Sequence, residues 1–553
     1  MIGGNHAVGV DFGTSTSLLA ERIGALPVEI ASLGRSTRWF PSLAGQAAGT
    51  LLVGEDAETL PSNQVIRSIK RAVTENRDVV EVAGPDGPLR ARVDDVIIAL
   101  LSEIGRRAAA ADHPLTAEGD LRLGCPAMWD GRQRQRLLDL ATKAGLPVDA
   151  SALIDEPIAA GVAWVTHRFL AYGERPAGRL LVFDMGGGTL DIAVLDVEGG
   201  EQPEITVLSA LGVGQAGDAL DQAIAAELTA ALAGHGFDVD DQHEPDVVRS
   251  YLLRAAREAK VRLSQVQTHA IVLSRRLGNL PVLYYDREQL EDAFGSQMDS
   301  AEQLIWAALR GALHTERGDR SPDQLRALGQ AELARNVDYV LLAGGMSRIP
   351  YVERRIGALF PGAQVFDNAG VEPDEAIVAG LADTSGYDRL NLHRPGFDFI
   401  LEWSDGGQPE RQTIYPAYTP FYEPWQVLQG QSHLGYEWRA RNLPGRWQGE
   451  GVLQVRSTSG QRLTLDFDGK RMDGFQLRLG RNMMVKLYCD GRILIRDGAG
   501  QAFHLRVYRW PVMRGRDHAR LMLRSEEERP ATAPTPWYHE KEWAPPSWQA
   551  RPR

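Results

Sequence analysis

Two strings of one design, 173 residues apart, constrain this chain more than any other feature. In the first, Ala7-Val8-Gly9-Val10 runs into Asp11-Phe12-Gly13-Thr14-Ser15-Thr16-Ser17 and returns through Leu18-Leu19-Ala20. In the second, Leu180-Leu181-Val182-Phe183 runs into Asp184-Met185-Gly186-Gly187-Gly188-Thr189-Leu190-Asp191 and returns through Ile192-Ala193-Val194. Each reads as strand, glycine turn and returning strand, a β-hairpin. The separation is too long for a solenoid repeat. It fits two related α/β lobes, each opening with a hairpin whose turn faces a phosphate.

The residue types explain the phosphate. Glycine lets main-chain N–H groups approach an anion with no Cβ in the way. Thr14, Ser15 and Thr189 add hydroxyl donors, and Asp11 and Asp184 at the strand ends can hold a hydrated Mg²⁺ between phosphate oxygens. A single Gly-rich hairpin is more often only a turn; two of them opening two halves carry the argument. Helical apolar spacing over 95–111, 131–144, 218–233 and 249–264 alternates with the strands, as in mixed α/β layers. Asp218 is the expected N-cap of the third. Tyr339 to Pro350 gives a further strand-turn-helix unit, and 314–336 reads as a polar, exposed helical excursion.

With 553 residues the chain has length for three or four domain-sized units. Its 43% apolar and 24% charged residues exclude a mostly disordered protein. Two cysteines, Cys125 and Cys489, offer neither a disulfide framework nor a metal-ligand spacing. The first residues lack a basic and an apolar signal region, and no apolar run is long enough to span a membrane, so cytoplasm is the expected compartment. Residues 1–393 carry a net charge of −19 and residues 394–553 one of +6. The acidic body argues against general nucleic-acid binding. Eight of the twelve tryptophans lie after residue 400. After 385 the texture changes: 386–396 reads as a linker, and 397–524 as short alternating runs punctuated by Asp468-Gly469, Asp473-Gly474, Asp490-Gly491 and Asp497-Gly498, a small mostly β domain. Residues 525–553, rich in Pro and Trp, read as a disordered tail. His6, His113 and His167 stand in no metal spacing and read as structural.

Five ordered motifs give the chain a resemblance. They are Asp11-Phe12-Gly13-Thr14, Ser68-Ile69-Lys70-Arg71, Asp155-Glu156-Pro157-Ile158-Ala159-Ala160, Phe183 to Asp191, and Ala343-Gly344-Gly345-Met346-Ser347-Arg348-Ile349-Pro350. Residues 6–385 thereby resemble the actin, sugar-kinase and heat-shock-chaperone ATPase superfamily, and within it the 70-kDa (DnaK-like) heat-shock chaperones. The resemblance implies a two-lobed actin-like ATPase fold over 1–385 with duplicated ribonuclease-H-like lobes, binding ATP or ADP with Mg²⁺. It places Gly13, Thr14, Ser15 and the Gly186-Gly187-Gly188 turn at the phosphates, and Asp11 and Asp184 at the metal. It makes Lys70, Glu156, Asp191 and Thr189 the catalytic set around the γ-phosphate and the attacking water. Lys260, Ser264, Gly344, Gly345 and Arg348 would line the adenosine pocket.

The sequence also departs from the family. Cys125-Pro126-Ala127-Met128-Trp129-Asp130 replaces the usual Val-Pro-Ala-x-Phe-Asn, with Gln133-Arg134 retained. Arg257 stands where an acidic adenosine contact is usual, and Ala216 replaces a loop glycine. The acidic, Leu-rich interdomain linker is absent, Leu390 to Phe397 standing in its place, and no peptide-binding β-sandwich with a helical lid is evident beyond. The expected function is a chaperone-like ATPase whose nucleotide state switches the binding of a protein client by the C-terminal unit. By resemblance a J-domain co-chaperone and a nucleotide exchange factor would assist it. A small-molecule kinase and a nucleotide-dependent scaffold or filament protein are the alternatives.

Overall fold

The computed structural model describes residues 6–47, 49–82, 87–116, 120–149, 152–199, 204–273, 280–317, 320–383, 388–429, 434–440, 449–457, 460–510 and 520–525. The chain divides into two compact units. The first comprises Met1–Gly200, Leu211–Ile305 and Ala334–Tyr387, the second Glu201–Ala210, Trp306–Leu333 and Asp388–Arg553. Among the described residues no helix is long and apolar enough to cross a membrane.

In the first unit β1 (His6–Phe12) pairs antiparallel with β2 (Thr16–Ile23). The predicted first hairpin is therefore present, with Gly13-Thr14-Ser15 as its turn. Lys70 lies in a short helix, α1 (Ile69–Thr74). On the other side of β1 lies the parallel strand β3 (Asp120–Cys125). Next come α2 (Gly131–Lys143) and β4 (Leu153–Asp155), which pairs parallel with β3 and runs straight into α3 (Glu156–Ala163). Covered on both faces, β1 is an almost unbroken apolar run, as parallel-sheet strands are. The helix Val93–Ala110 buries Val93, Val96, Ile97, Leu100, Leu101 and Ile104, a stripe of helical period, against Val8, Val10, Phe12, Leu121 and Leu123.

The second hairpin is β5 (Gly178–Met185) with β6 (Leu190–Glu198). Two helices, α4 (Gly217–Gly234) and α5 (Pro245–Leu263), pack on each other, and α6 (Arg287–Arg317) follows. Parallel to β5 runs β7 (Tyr339–Ala343), then β8 (Gln364–Phe366), so the order β8-β7-β5-β6 mirrors β4-β3-β1-β2. The helix α7 (Ala376–Asp383) packs against both α3 and β1. Its approach to α3 needs glycine: a Cβ on Gly380 would stand 1.8 Å from the Ala159 carbonyl oxygen.

The second unit is largely β, as the alternation after 397 predicts. A four-stranded sheet runs Gln408–Tyr415, Phe397–Asp405, Glu450–Ser457, Phe475–Arg478. A seven-stranded sheet runs from Tyr436–Arg439 to Lys470–Met472. Asp468 and Gly469 both have positive φ, 48° and 80°, the conformation a two-residue type I′ hairpin requires between Thr464–Phe467 and Lys470–Met472. Trp510 fills the core, stacked on Phe397 at 5.4 Å, whereas Trp425 is 37% exposed. Within 386–396, the expected linker, Asp388–Asn391 forms a strand parallel to the Glu204–Val207 run, and Leu392, His393 and Arg394 are buried. In 314–336, expected as an exposed helical excursion, the short helices Pro322–Ala327 and Gln330–Ala334 are exposed along much of their length and bury Leu325 and Leu333, while the start of the stretch is packed away. His314 and Thr315 are buried, and the Tyr422 hydroxyl donates to the Gly311 carbonyl at 2.8 Å. The expected tail lies outside the described residues from 526 onward.

Candidate functional site

The two hairpin turns face each other. A Cβ placed on Gly187 would lie 2.3 Å from Ser15 Oγ, and one on Gly188 would lie 2.5 Å from Thr14 Cγ2. The second turn is closed by the Gly186 N–H donating to the Thr189 carbonyl at 2.9 Å. The start of α4 is fastened to it: the N–H groups of Gly217 and Asp218 donate to the carbonyls of Gly186 and Gly187 at 3.1 and 2.6 Å. The expected N-cap role of Asp218 is not seen. Ala216 occupies the cap position, and Asp218 sits in the first turn, where its carboxylate accepts from Ser68 Oγ. A carboxylate in the first turn serves the helix dipole without capping it.

Behind the turns four carboxylates and one amine converge. The ends of β1 and β5 carry Asp11 and Asp184, and β6 carries Asp191 directly opposite Asp184. Glu156 is the first residue of α3, and it is ion-paired with Lys70 of α1, the two being 4% and 3% exposed. Burial above all, with Glu156 adding to it and Lys70 opposing, pushes the carboxyls of Asp11 and Asp191 up to about 7. Burial, then Glu156, Asp191 and Asp11, hold the Asp184 carboxyl well above the usual range. Burial works against the charged form of Lys70, but Glu156 and Asp11 outweigh it and raise its pKa. One buried cation among four carboxylates leaves a deficit of positive charge that a bound cation would correct. Among the described residues no three His, Cys, Asp or Glu side chains are gathered for direct metal ligation. Asp11 and Asp184 are the two of these carboxylates that lead into the glycine turns.

One helix end holds both sides of the Lys70–Glu156 pair. Asp130 caps α2 in a reciprocal capping box with Gln133. Gln133 Nε2 also donates to the Thr74 carbonyl at 2.9 Å, and Trp129 Nε1 to Thr74 Oγ1 at 3.0 Å, so the C-terminal end of α1 is fixed. The next residue, buried Arg134, meets Asp155 Oδ1 at 2.5 Å, Cys125 Sγ at 3.1 Å and the Trp129 carbonyl at 2.9 Å. Asp155 immediately precedes Glu156. The network of Cys125, Arg134 and Asp155 was invisible as chemistry in the sequence. Its only signal was the retained Gln133-Arg134 pair after an altered segment.

The residues expected on the nucleoside side fall into two groups. Lys260 Nζ donates to the Gly217 carbonyl at 3.0 Å and pairs with buried Asp221 at 2.7 Å. Asp221, unmarked by any motif, is the partner that fixes it. Ser264 and Arg348 line a cavity of about 650 Å³ with Gln265, Pro350, Asn368 and Glu372. Arg348 pairs there with Glu372 at 2.8 Å and Asp374 at 2.5 Å and remains 42% exposed at its side chain. Gly344 has φ 77°, and a Cβ there would come within 2.5 Å of both Asp184 Oδ1 and the Met185 carbonyl. Gly345 opens the single turn that carries Arg348.

The histidines read as structural have carboxylate partners outside this site. His6 and His113 each bond one oxygen of Glu21, and His167 lies 2.8 Å from Asp383, which also pairs with Arg22.

A family model described as Hsp70 protein matches residues 116–387. The chaperone protein DnaK of Thermosipho africanus is 29% identical over 390 residues, 68% of this chain and 58% of that protein. DnaK of Thermotoga maritima is 28% identical over 388 residues, with the same coverage of 68% and 58%. The chaperone protein HscA homolog of Vibrio cholerae is 29% identical over 423 residues, 71% of this chain and 60% of that protein. The matches span less than two thirds of the relatives' own length.

Proposed function

We propose that this chain, which is similar to the Hsp70 family over residues 116–387, is an ATP-hydrolysing, chaperone-like protein of the cytoplasm. The observation that carries the reading is the set of four buried carboxylates around one buried lysine, directly behind two facing glycine turns. Phosphoryl transfer needs positioning and charge neutralisation more than covalent help, and this set supplies both.

In this reading residues 1–385 do the nucleotide work in two lobes of duplicated, ribonuclease-H-like type. Main-chain N–H groups of Gly13, Gly187 and Gly188, with the Thr14 and Ser15 hydroxyls, cradle the phosphates, and Gly186 closes the turn that presents them. Thr189 contacts the γ-phosphate. Asp11 and Asp184 would hold a hydrated Mg²⁺, which would supply charge neutralisation at the phosphates. Lys70 holds the attacking water beside the γ-phosphate. Glu156 keeps the ammonium in place, and Asp191 orients the water and accepts its proton. Lys260 and Ser264 take the ribose side, Gly344 and Gly345 let the base approach, and Arg348 leaves its carboxylates to stack on the adenine. Residues 397–524 bind a protein client, and 386–396 joins them to the nucleotide part. A J-domain protein and a nucleotide exchange factor set the pace of a slow cycle.

Single-turnover hydrolysis tests the reading. ATP should be cleaved only with Mg²⁺, and faster when an unfolded peptide and a J-domain protein are added. Phosphate appearing on a hexose or a small carboxylate instead of in water would make the protein a kinase. Tight binding without cleavage would leave a nucleotide-dependent scaffold.

A further inference from the structure

Away from the carboxylate cluster, three arginines crowd one place in the first unit. Arg67 stands between the strand Val65–Ile66 and α1, next to Ser68, whose hydroxyl donates to Asp218 at the start of α4. The turn Ser62–Gln64 packs against α5. Asp218, which Ser68 reaches, and Asp221, which Arg257 reaches, lie one turn apart on α4, and this brings Arg67 up to Arg257 and Arg254 of α5, with Glu58 also nearby. Arg257 is held by Asp221 at 3.1 Å, an aspartate that Lys260 shares at 2.7 Å. Arg67 and Arg254 have no hydrogen-bond or ion-pair partner among the described residues. Burial, Arg257 and Arg254 pull Arg67 down to about 10. A guanidinium stays charged at neutral pH even so, and the repulsion persists unless an anion enters. Four cationic side chains face three carboxylates here, of which Asp218 and Asp221 are already engaged.

We propose that Arg67, Arg254 and Arg257 form a receptor for a phosphate-class oxyanion, separate from the turns at Gly13 and Gly186. Planar guanidinium forks converging from two elements suit a tetrahedral oxyanion with several acceptor oxygens. Such an anion would tie the segment that leads into the Lys70 helix to the helix that carries Lys260 and Ser264. The site stands whether or not the protein hydrolyses ATP, because none of its three arginines acts on the phosphates in that reading, although Arg257 shares Asp221 with Lys260.

The test uses the full chain with saturating ADP, so that the glycine turns are filled. Inorganic phosphate and phosphoserine are titrated separately against chloride at constant ionic strength, and the melting midpoint is followed. The midpoint should rise with at least one of them, phosphoserine marking an ester and inorganic phosphate alone a free ion. Arg67→Gln should bind the responding anion at least about tenfold more weakly. Arg67→Glu, which puts a carboxylate near Arg254 and Arg257, should melt higher than the parent in chloride and no longer respond. If Arg67→Gln does not fold, the exposed Arg254→Gln takes its place with the same expectation. No response in the parent chain, or an undiminished one in both Gln variants, overturns the proposal.

Discussion

Lys70 and Glu156 pair across 86 residues of sequence, joining the first turn of α1 to the first residue of α3 at a point water hardly reaches. Removing one member of a buried pair leaves the other charge uncompensated, which costs about 3–5 kcal/mol. Here the amine also offsets Asp11, Asp184 and Asp191, so its loss falls on the whole cluster.

Lys70→Ala should therefore lower stability by about 3 kcal/mol or more, read as a fall in the urea midpoint at unchanged slope. Hydrolysis should disappear while ADP still binds, since the glycine turns and the Arg348 cavity are untouched. Retained single-turnover cleavage in this variant would remove Lys70 from the chemistry.

The carboxyls of Asp11 and Asp191 give a pH dependence whose sign is fixed. Their folded values, about 7, lie above the ordinary 3.8. Between those limits the folded chain binds more protons than the unfolded one, so these groups make stability fall as pH rises from about 4 to about 7. In a chelator, the parent chain should lose stability relative to Asp191→Asn between pH 5 and pH 8. Mg²⁺ with ADP should shrink that loss, because a bound cation favours the charged carboxylates. Parallel stability curves for the two proteins would show that Asp191 does not titrate there.

Much of the site was legible because glycine turns and strand-end aspartates are local signals: Asp11, Gly13, Asp184 and Gly186 lie within a few residues of one another in each hairpin. Lys70 and Glu156 were found through the ordered motifs, but nothing local says that they touch. The partners that position them were hidden for the same reason. Arg134 reaches Asp155 over 21 positions and Gln133 reaches Thr74 over 59. Such contacts follow from how β3, β4 and α2 stack, not from any periodicity. Asp218 shows the opposite error. Its type and place suit an N-cap, yet the backbone turn at Gly186 already takes the first N–H groups of α4, and the carboxylate was left for Ser68. In the second unit, Asp468-Gly469 was readable because a type I′ turn demands those residues, whereas burial of Leu392, His393 and Arg394 depends on packing around a segment that looks like a linker.

Arg348 separates affinity from stability. Its bridges to Glu372 and Asp374 are partly exposed and worth under about 1 kcal/mol. Arg348→Ala should thus melt close to the parent while its ADP affinity, measured by calorimetry, drops by about tenfold through loss of stacking on the base. A large fall in melting temperature with normal affinity would make Arg348 a structural residue instead.

The remaining prediction concerns Arg134, which touches none of the expected ligands. It holds Asp155, and Asp155 is the residue from which α3 and Glu156 start. Arg134→Gln should cost about 3–5 kcal/mol, because Asp155 is left buried with its charge unmatched. Asp155→Asn should cost a similar amount, and the double variant should cost clearly less than the two added together, since each single change strands the same partner. If Arg134 also positions Glu156, hydrolysis per folded molecule should fall in Arg134→Gln while ADP affinity holds, and Arg134→Lys should recover stability better than rate, lacking the second fork that meets Cys125. Additive costs with a normal single-turnover rate would confine Arg134 to the core, with no bearing on where Glu156 meets Lys70.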